Sequence, residues 1–284
     1  MRETSCESRF GMGTISYIPA REGRPFFFKA CENAVHARKP HFHAELSFAL
    51  VEQGSSIADV CGRRYLVTAP FAMLIPAGMA HSCRPCDPSS WRFRMAYIDL
   101  NWLETVSGLR REQFGFAFMA LQAARLEVMR GLFDELGGER SASGSLAALF
   151  QEIALLARAE KTCPDQDALV PVRSCSPLHA FKEDLEENFL RRFCLDDVCA
   201  PAGATKFHLI RQFKRRYGLT PRQYAINLRI NFAKRLIASG WSLAEAALES
   251  GFYDQSHFTR SFQAHTGVTP GRYRAAAAQH VPED

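Results

Sequence analysis

The chain repeats itself near its end. A pattern that enters, packs and stops a helix runs from Thr205 to Tyr224 and recurs 49 positions later, from Asp254 to Tyr273. His208 returns as His257, Arg211 as Arg260, Phe213 as Phe262, Gly218 as Gly267, Thr220 as Thr269, Pro221 as Pro270 and Tyr224 as Tyr273. Seven identities in twenty positions, in a chain without low-complexity bias, require two copies of one small helical unit. Thr205 and Asp254 suit the N-cap, where a side-chain oxygen accepts from an unpaired amide of the first turn. Leu209 and Phe213, like Phe258 and Phe262, are four apart and share a helix face. Gly218 and Gly267 suit the left-handed residue after a helix, and the prolines that follow cannot continue it. Upstream of each copy lies a shorter helix and a glycine turn: Leu195 to Ala202 before Gly203, and Ser242 to Glu249 before Gly251. Ser242 and Glu245 have capping-box spacing. Helix, glycine turn, helix is the helix-turn-helix arrangement.

Charge points the same way. Residues 201–274 contain 12 Lys or Arg against 3 acids, a charge of +9, while the whole chain carries +5, which leaves −4 for the rest. A strongly basic segment is joined to a mildly acidic one. Clustered Lys and Arg neutralise phosphates and drive salt-dependent nucleic-acid binding. Lys214-Arg215-Arg216 or Lys234-Arg235 alone would read as solvated helix faces; beside a duplicated helix-turn-helix they read as a DNA footprint.

Two stretches carry a specific resemblance: Ala204 to Lys214 with Gly218 to Tyr224, and Gly251 to Phe262 with Gly267 to Tyr273. Over roughly residues 178–275 the chain resembles the DNA-binding domain of the AraC/XylS family of bacterial transcription regulators. The resemblance implies a long helix, about Pro221 to Ser239, that holds two recognition helices for neighbouring major-groove segments roughly 34 Å apart. With Leu209 and Phe213 turned inward, Lys206, Phe207, Ile210 and Arg211 point outward on the first helix. Gln255, Ser256, Thr259 and Arg260 do so on the second. Arg211 and Arg260 suit bidentate bonds to guanine, Gln255 to adenine, and Phe207 or Ile210 contact with a thymine methyl. Lys206 and Lys214 suit backbone phosphate. His208 and His257 lie beside the apolar faces and are expected to bond within their modules. Pro201, late in the first short helix, is expected to shorten or bend it.

The front half has strand patterning. Leu46 to Val51 is a short apolar run, Ile57 to Val67 reads as a hairpin turning near Cys61-Gly62-Arg63, and Trp91, Phe93, Met95 and Tyr97 alternate with Arg92, Arg94, Ala96 and Ile98. Short strands with Gly and Pro punctuation suggest an antiparallel barrel or jelly roll. Pro40 to Glu45 and Leu74 to His81 resemble the two cupin motifs of AraC-type sensor domains, which implies an effector pocket lined by His41, His43, Glu45 and His81. These side chains suit a divalent metal such as Zn, Fe, Ni or Mn. They also suit hydrogen bonds to an organic effector, or simple packing, and the effector pocket is the expected use. Glu45 follows His43 more closely than metal-binding cupins usually allow. Cys83 and Cys86 form a lone Cys-x-x-Cys pair.

Apolar positions at mostly helical spacing over 111–137, and again from Ser145 to Ala159, suggest two amphipathic helices that either dimerise or close the barrel. The expected fold is α+β and multidomain: a cupin-like β-barrel over 1–110, a helical element over 111–160, a linker over 161–176, an all-α double helix-turn-helix domain over 177–275 and a disordered tail over 276–284. Nine scattered cysteines and the lack of a long apolar run indicate a reducing cytoplasm, with the protein nucleoid-associated when bound, and no membrane partner. The expected function is non-enzymatic: a sequence-specific regulator, by family habit an activator, with promoter DNA, a small-molecule effector, RNA polymerase and a second copy of itself as partners. No catalytic residue or obligatory cofactor is expected. The rival readings are a cupin metalloenzyme or metalloprotein with a DNA-binding appendage, and a regulator without an effector.

Overall fold

The computed structural model describes residues 14–18, 26–34, 39–60, 62–137, 143–158, 177–191, 193–202 and 205–278. Its front half is two antiparallel sheets. Strands β1 (Thr14–Ile18), β2 (Phe26–Glu32), β3 (Leu46–Gln53), β4 (Ser55–Val60), β5 (Arg63–Thr68), β6 (Phe71–Ile75), β7 (His81–Pro85), β8 (Arg92–Ile98) and β9 (Ala117–Ala120) form one sheet in the order β1-β2-β8-β3-β6-β9 and another in the order β5-β4-β7.

The larger sheet is buried on both faces, which explains why β3 reads as a continuous apolar run. Alternate residues of a strand point to opposite sides. Leu46, Phe48 and Leu50 of β3, with Ala96 and Ile98 of β8, face a core shared with helices α2 (Ala123–Gly137) and α3 (Ser143–Arg158). Ala49 and Val51, with Phe93, Met95 and Tyr97, face the smaller sheet, where Ala58, Val60, Val67 and Cys83 close the other side. Glu52 pins the helical side: its carboxylate accepts from Arg94 Nε at 2.6 Å and from Arg130 Nε at 2.8 Å. Burial would raise the Glu52 pKa, but the two guanidiniums hold it below the ordinary carboxylate range. The expected hairpin is β4–β5, with Gly62 at φ +85° and its amide donating to Asp59 Oδ1.

Three expectations need correction. The 111–137 stretch is not one helix. A short helix α1 (Leu100–Ser107) precedes it, the stretch opens on a single 3-10 turn (Arg111–Gln113), Phe118 lies on β9, and α2 is its one α-helix. Ala117 pairs with Leu74 in the larger sheet, and Phe116 and Phe118 pack tilted and edge-on against Tyr65, so strand pairing and aromatic contact prevail over the helical spacing. The tail is not wholly outside the fold, since α10 (Pro270–Ala278) includes residues 276–278. Nor does Pro201 shorten its helix: α5 (Leu195–Ala202) has 8 residues and its counterpart α8 (Leu243–Glu249) has 7. Residues 161–176 and 279–284, named above as linker and tail, lie outside the described residues.

The back half is helical: α4 (Pro177–Glu187), α5, α6 (Lys206–Tyr217), α7 (Pro221–Ala238), α8, α9 (Gln255–Thr266) and α10. Thr205 caps α6 and Asp254 caps α9, each side chain accepting the amide three residues on. Gly218 and Gly267 end these helices at φ +76° and +87°, where a side chain would be strained. Pro221 does more than stop α6. It occupies the first turn of α7, where its missing N–H costs nothing, and Thr220 and Gln223 form a capping box there. Each module has its own core, one around Leu209, Phe213 and Tyr224, the other around Phe258, Phe262 and Tyr273. Helix α7 contributes to both.

Candidate nucleic-acid interface and the interdomain seam

On α6, Lys206, Phe207, Arg211 and Lys214 are exposed and Ile210 is half-buried; on α9, Gln255, Ser256 and Arg260 are exposed and Thr259 is half-buried. The same geometry that turns Leu209, Phe213, Phe258 and Phe262 into the cores turns these residues out. Phe207 is 87 % exposed, an aromatic ring with no intramolecular reason to face water. Lys206 is engaged by Asp196 of α5, Nζ to Oδ2 at 2.8 Å. His208 Nε2 lies 3.1 Å from Gln212 Nε2 one turn on, and the His257 ring packs on Phe252.

Not every basic residue of the +9 segment faces outward. Arg229 braces the two modules, donating to the carbonyls of Phe189 at 2.9 Å and Gly251 at 2.8 Å. Lys234 is only 7 % exposed and faces the front domain, 3.7 Å from Glu45 and over the rings of Phe27 and Tyr97. Reading Lys234 as part of a DNA-binding charge cluster is therefore wrong: a covering domain removes it from the surface.

That covering domain meets the helical half along a polar seam. Asn227 of α7 pairs with the Phe42 peptide as a neighbouring strand would: Phe42 N donates to Asn227 Oδ1 at 3.1 Å, and Asn227 Nδ2 donates to Phe42 O at 2.8 Å. Asn231 Nδ2 adds a 3.3 Å bond to the same carbonyl. The Phe42 ring enters the first module's core against Tyr224, 4.7 Å between centroids. The second module is held at the end of α9, where Thr266 O accepts from both Tyr17 Oη and Lys29 Nζ at 2.8 Å. Unpaired carbonyls at a helix C-terminus attract such donors. Burial pulls the Lys29 pKa down to about 7. Tyr17 also packs edge-on against Tyr273.

His41, His43 and His81 lie together at this seam; His41 and His43 line a narrow cavity of about 10 Å³ with Tyr17, Lys29, Tyr97 and Lys234. The sensor core is filled by side chains such as Phe71, Phe93 and Phe116. The expected histidines thus mark the end of the barrel that abuts the helical domain, not the lining of an open lumen. Glu45 does not join their cluster; it is drawn to Lys234. Cys83 is buried, with its thiol pushed up to about 12 by burial, while Cys86 is exposed, so the Cys-x-x-Cys pair is split between two environments.

Sequence reasoning missed Asn227, Asn231, Tyr17 and Lys29. A signal existed for α7: Asn227, Asn231 and Lys234 follow one another at spacings of four and three, a polar stripe on one face. Such a stripe normally reads as solvent-facing, and only its burial shows that a partner surface completes it.

Two helix-turn-helix modules presenting exposed polar side chains, docked against a two-sheet domain, define a DNA-binding regulator with an attached sensor. Residues 198–276 match the family described as "Helix-turn-helix domain", and residues 29–157 match "AraC-like ligand binding domain". The chain belongs to the AraC family of transcription regulators. The transcriptional regulator YbfI of Bacillus subtilis is 41 % identical over 75 residues, 26 % of this chain and 27 % of YbfI, so the chain spans about a quarter of that relative. The transcriptional activator RhaR of Escherichia coli is 24 % identical over 251 residues, 84 % of this chain and 88 % of RhaR. In architecture the chain is similar to ToxT from Vibrio cholerae, with a TM-score of 0.54 at 12 % identity over 93 % of this chain and 97 % of ToxT. No helix among the described residues is long and apolar enough to cross a membrane.

Proposed function

We propose that the chain is a cytoplasmic, effector-responsive transcription activator that reads two adjacent major-groove segments of promoter DNA through α6 and α9. The carrying observation is the pair of capped helices whose outward faces hold Lys206, Phe207, Ile210, Arg211 and Lys214, and Gln255, Ser256, Thr259 and Arg260. Arg211, Arg260 and Gln255 are the base readers; Phe207 and Ile210 supply apolar contact; Lys206 and Lys214 hold phosphate. Activation is taken from the resemblance to RhaR, a transcriptional activator, and entails contact with RNA polymerase. A second copy pairing through α2 and α3 would place two such readers on one promoter.

The effector acts at the seam. Because the cavity there is nearly closed, a small molecule can enter only by separating Tyr17, Lys29 and Phe42 from their helical partners, so binding and domain arrangement are coupled by sterics. A ligand shifts the two arrangements only as far as its affinities for them differ. The test is selection of bound fragments from random duplex DNA by the full chain. Enriched sequences should carry two short elements about one helical turn apart. Recovery of unrelated sequences, with binding that merely falls as salt rises, would sink the sequence-specific reading.

A further inference from the structure

The seam contains one cluster that DNA reading does not use. His41 and His81 face each other across an antiparallel bridge, with mutual backbone bonds of 2.8 and 2.9 Å. Their ring centroids are 4.6 Å apart, and the His43 ring lies 4.8 Å from His41 and 5.1 Å from His81. One nitrogen from each ring lies within 4.8 Å of those of the other two. His41 Nδ1 is 2.9 Å from Lys39 O, and His81 Nδ1 is 2.9 Å from Met79 O. A carbonyl only accepts, so in both rings Nδ1 carries the proton and Nε2 of the neutral ring is a lone pair. This is the backbone-carbonyl arrangement that orients metal-ligating imidazoles. The Nε2 atoms of His43 and His81 are buried without a protein hydrogen-bond partner.

We propose that His41, His43 and His81 form a three-imidazole site for a divalent transition ion, zinc first among candidates, and that the ion tightens the seam between the sensor and the DNA-binding domain. Neutral imidazole nitrogens suit zinc, and three protein ligands leave one position for water or an effector group. Of the nearby cations, Lys234 has its own carboxylate partner in Glu45, 3.7 Å away. A tetrahedral zinc with bonds near 2.0 Å sets its nitrogens about 3.3 Å apart. The triad, spread over as much as 4.8 Å, has to contract to hold it. His41 and His43 flank Phe42, whose peptide is gripped by Asn227 and Asn231, so contraction is transmitted directly to α7. The effect on DNA rests on the regulator reading above; the metal site does not.

The test uses the full chain, stripped with chelator and titrated with Co²⁺ as a spectroscopic stand-in for zinc. One Co²⁺ per chain should bind with the visible absorption of a tetrahedral, nitrogen-rich field, and Zn²⁺ should displace it. His43→Gln and His81→Gln should each weaken binding by at least about 100-fold, since even partners one shell further out are worth 10–100-fold. His179→Gln, on α4 beside Glu183 and outside the triad, should bind as the parent does. Absence of Co²⁺ absorption in the parent, or unchanged binding in the His43 and His81 variants, overturns the site. If a histidine variant fails to fold, metal-dependent melting of the parent decides: a melting temperature indifferent to Zn²⁺ overturns it equally. For the coupling, Zn²⁺ should shift the parent's DNA affinity, and Asn227→Ala should keep the Co²⁺ spectrum but lose that shift. Metal bound with no change in DNA affinity overturns the coupling alone. A chain that binds metal but no DNA overturns the regulator reading and leaves the site standing.

Discussion

The two helix-turn-helix modules are copies in framework and different in what they offer. Both close on an aromatic core, both end in a left-handed glycine, and α7 serves both. The first presents an exposed phenylalanine, and its leading lysine is tied to Asp196; the second presents Gln255, Ser256, Thr259 and Arg260, a polar set for which no such ion pair is seen among the described residues. They are also held differently. The first receives the buried Phe42 ring into its core, whereas the second is held at the Thr266 carbonyl by Tyr17 and Lys29, with Ile15 and Tyr17 laid partly buried against its core. The framework is duplicated because folding demands it, and the outward faces diverge as the proposed reading of two different DNA segments requires.

The largest expected effect tests the shared framework. Phe213 and Phe262 are fully buried at equivalent positions. Replacing either with Ala leaves a cavity worth about 3–5 kcal/mol. Equal losses in chemical denaturation would support equivalence. A much smaller loss for Phe262→Ala would mean that sensor docking, rather than its own core, supports the second module.

Next comes the division of labour on DNA. Arg260→Ala should cost about 1–3 kcal/mol and relax the preference at one base pair, while Lys214→Ala should weaken every sequence alike and flatten the salt dependence. Binding to a set of single-base variants of the selected site checks both. Uniform loss for Arg260→Ala would make α9 a phosphate-binding helix and erase the proposed contrast.

The framework was readable in the chain because it is local. Caps, glycine stops and four-residue apolar spacing act within a few residues, so Thr205, Gly218, Phe258 and Phe262 can be placed from sequence. Strand alternation in β8 is local in the same way. The seam is not. Lys29 and Thr266 are 237 positions apart, and Asn227 and Phe42 are 185 apart; nothing near either residue announces the other. The three histidines stood out by type, but their position at the domain boundary depended on which barrel end faces α7. Lys234 was misread for the same reason.

The asymmetric grip predicts a pH effect specific to the second module's anchor. With a folded pKa of about 7 against an ordinary 10.5, Lys29 is less protonated folded than unfolded between those values. The unfolded chain therefore binds more protons there, and stability rises with pH, by up to about 1.4 kcal/mol per unit for one proton. That contribution is complete near the unfolded value and is lost as pH falls towards 7. Urea midpoints for the parent and Lys29→Met across this window should diverge by that slope. Parallel curves would mean that Lys29 keeps its charge at the seam.

The smallest effect distinguishes the two entry caps. Thr205 Oγ1 accepts the His208 amide at 3.3 Å, whereas Asp254 Oδ1 accepts the His257 amide at 2.6 Å. A carboxylate at a helix N-terminus adds charge stabilisation to the shorter bond. Thr205→Ala should cost about 0.5–1 kcal/mol and Asp254→Ala about 1–2 kcal/mol. The ordering matters more than the sizes, because the better-capped helix carries the more polar outward face, and the sensor lays only the partly buried Ile15 and Tyr17 against its core. If Thr205→Ala proved the costlier change, the first module would depend on its own cap despite Phe42. The sensor's contact with that core would then contribute little to holding it folded, and regulation through the seam would have to act mainly on the second module.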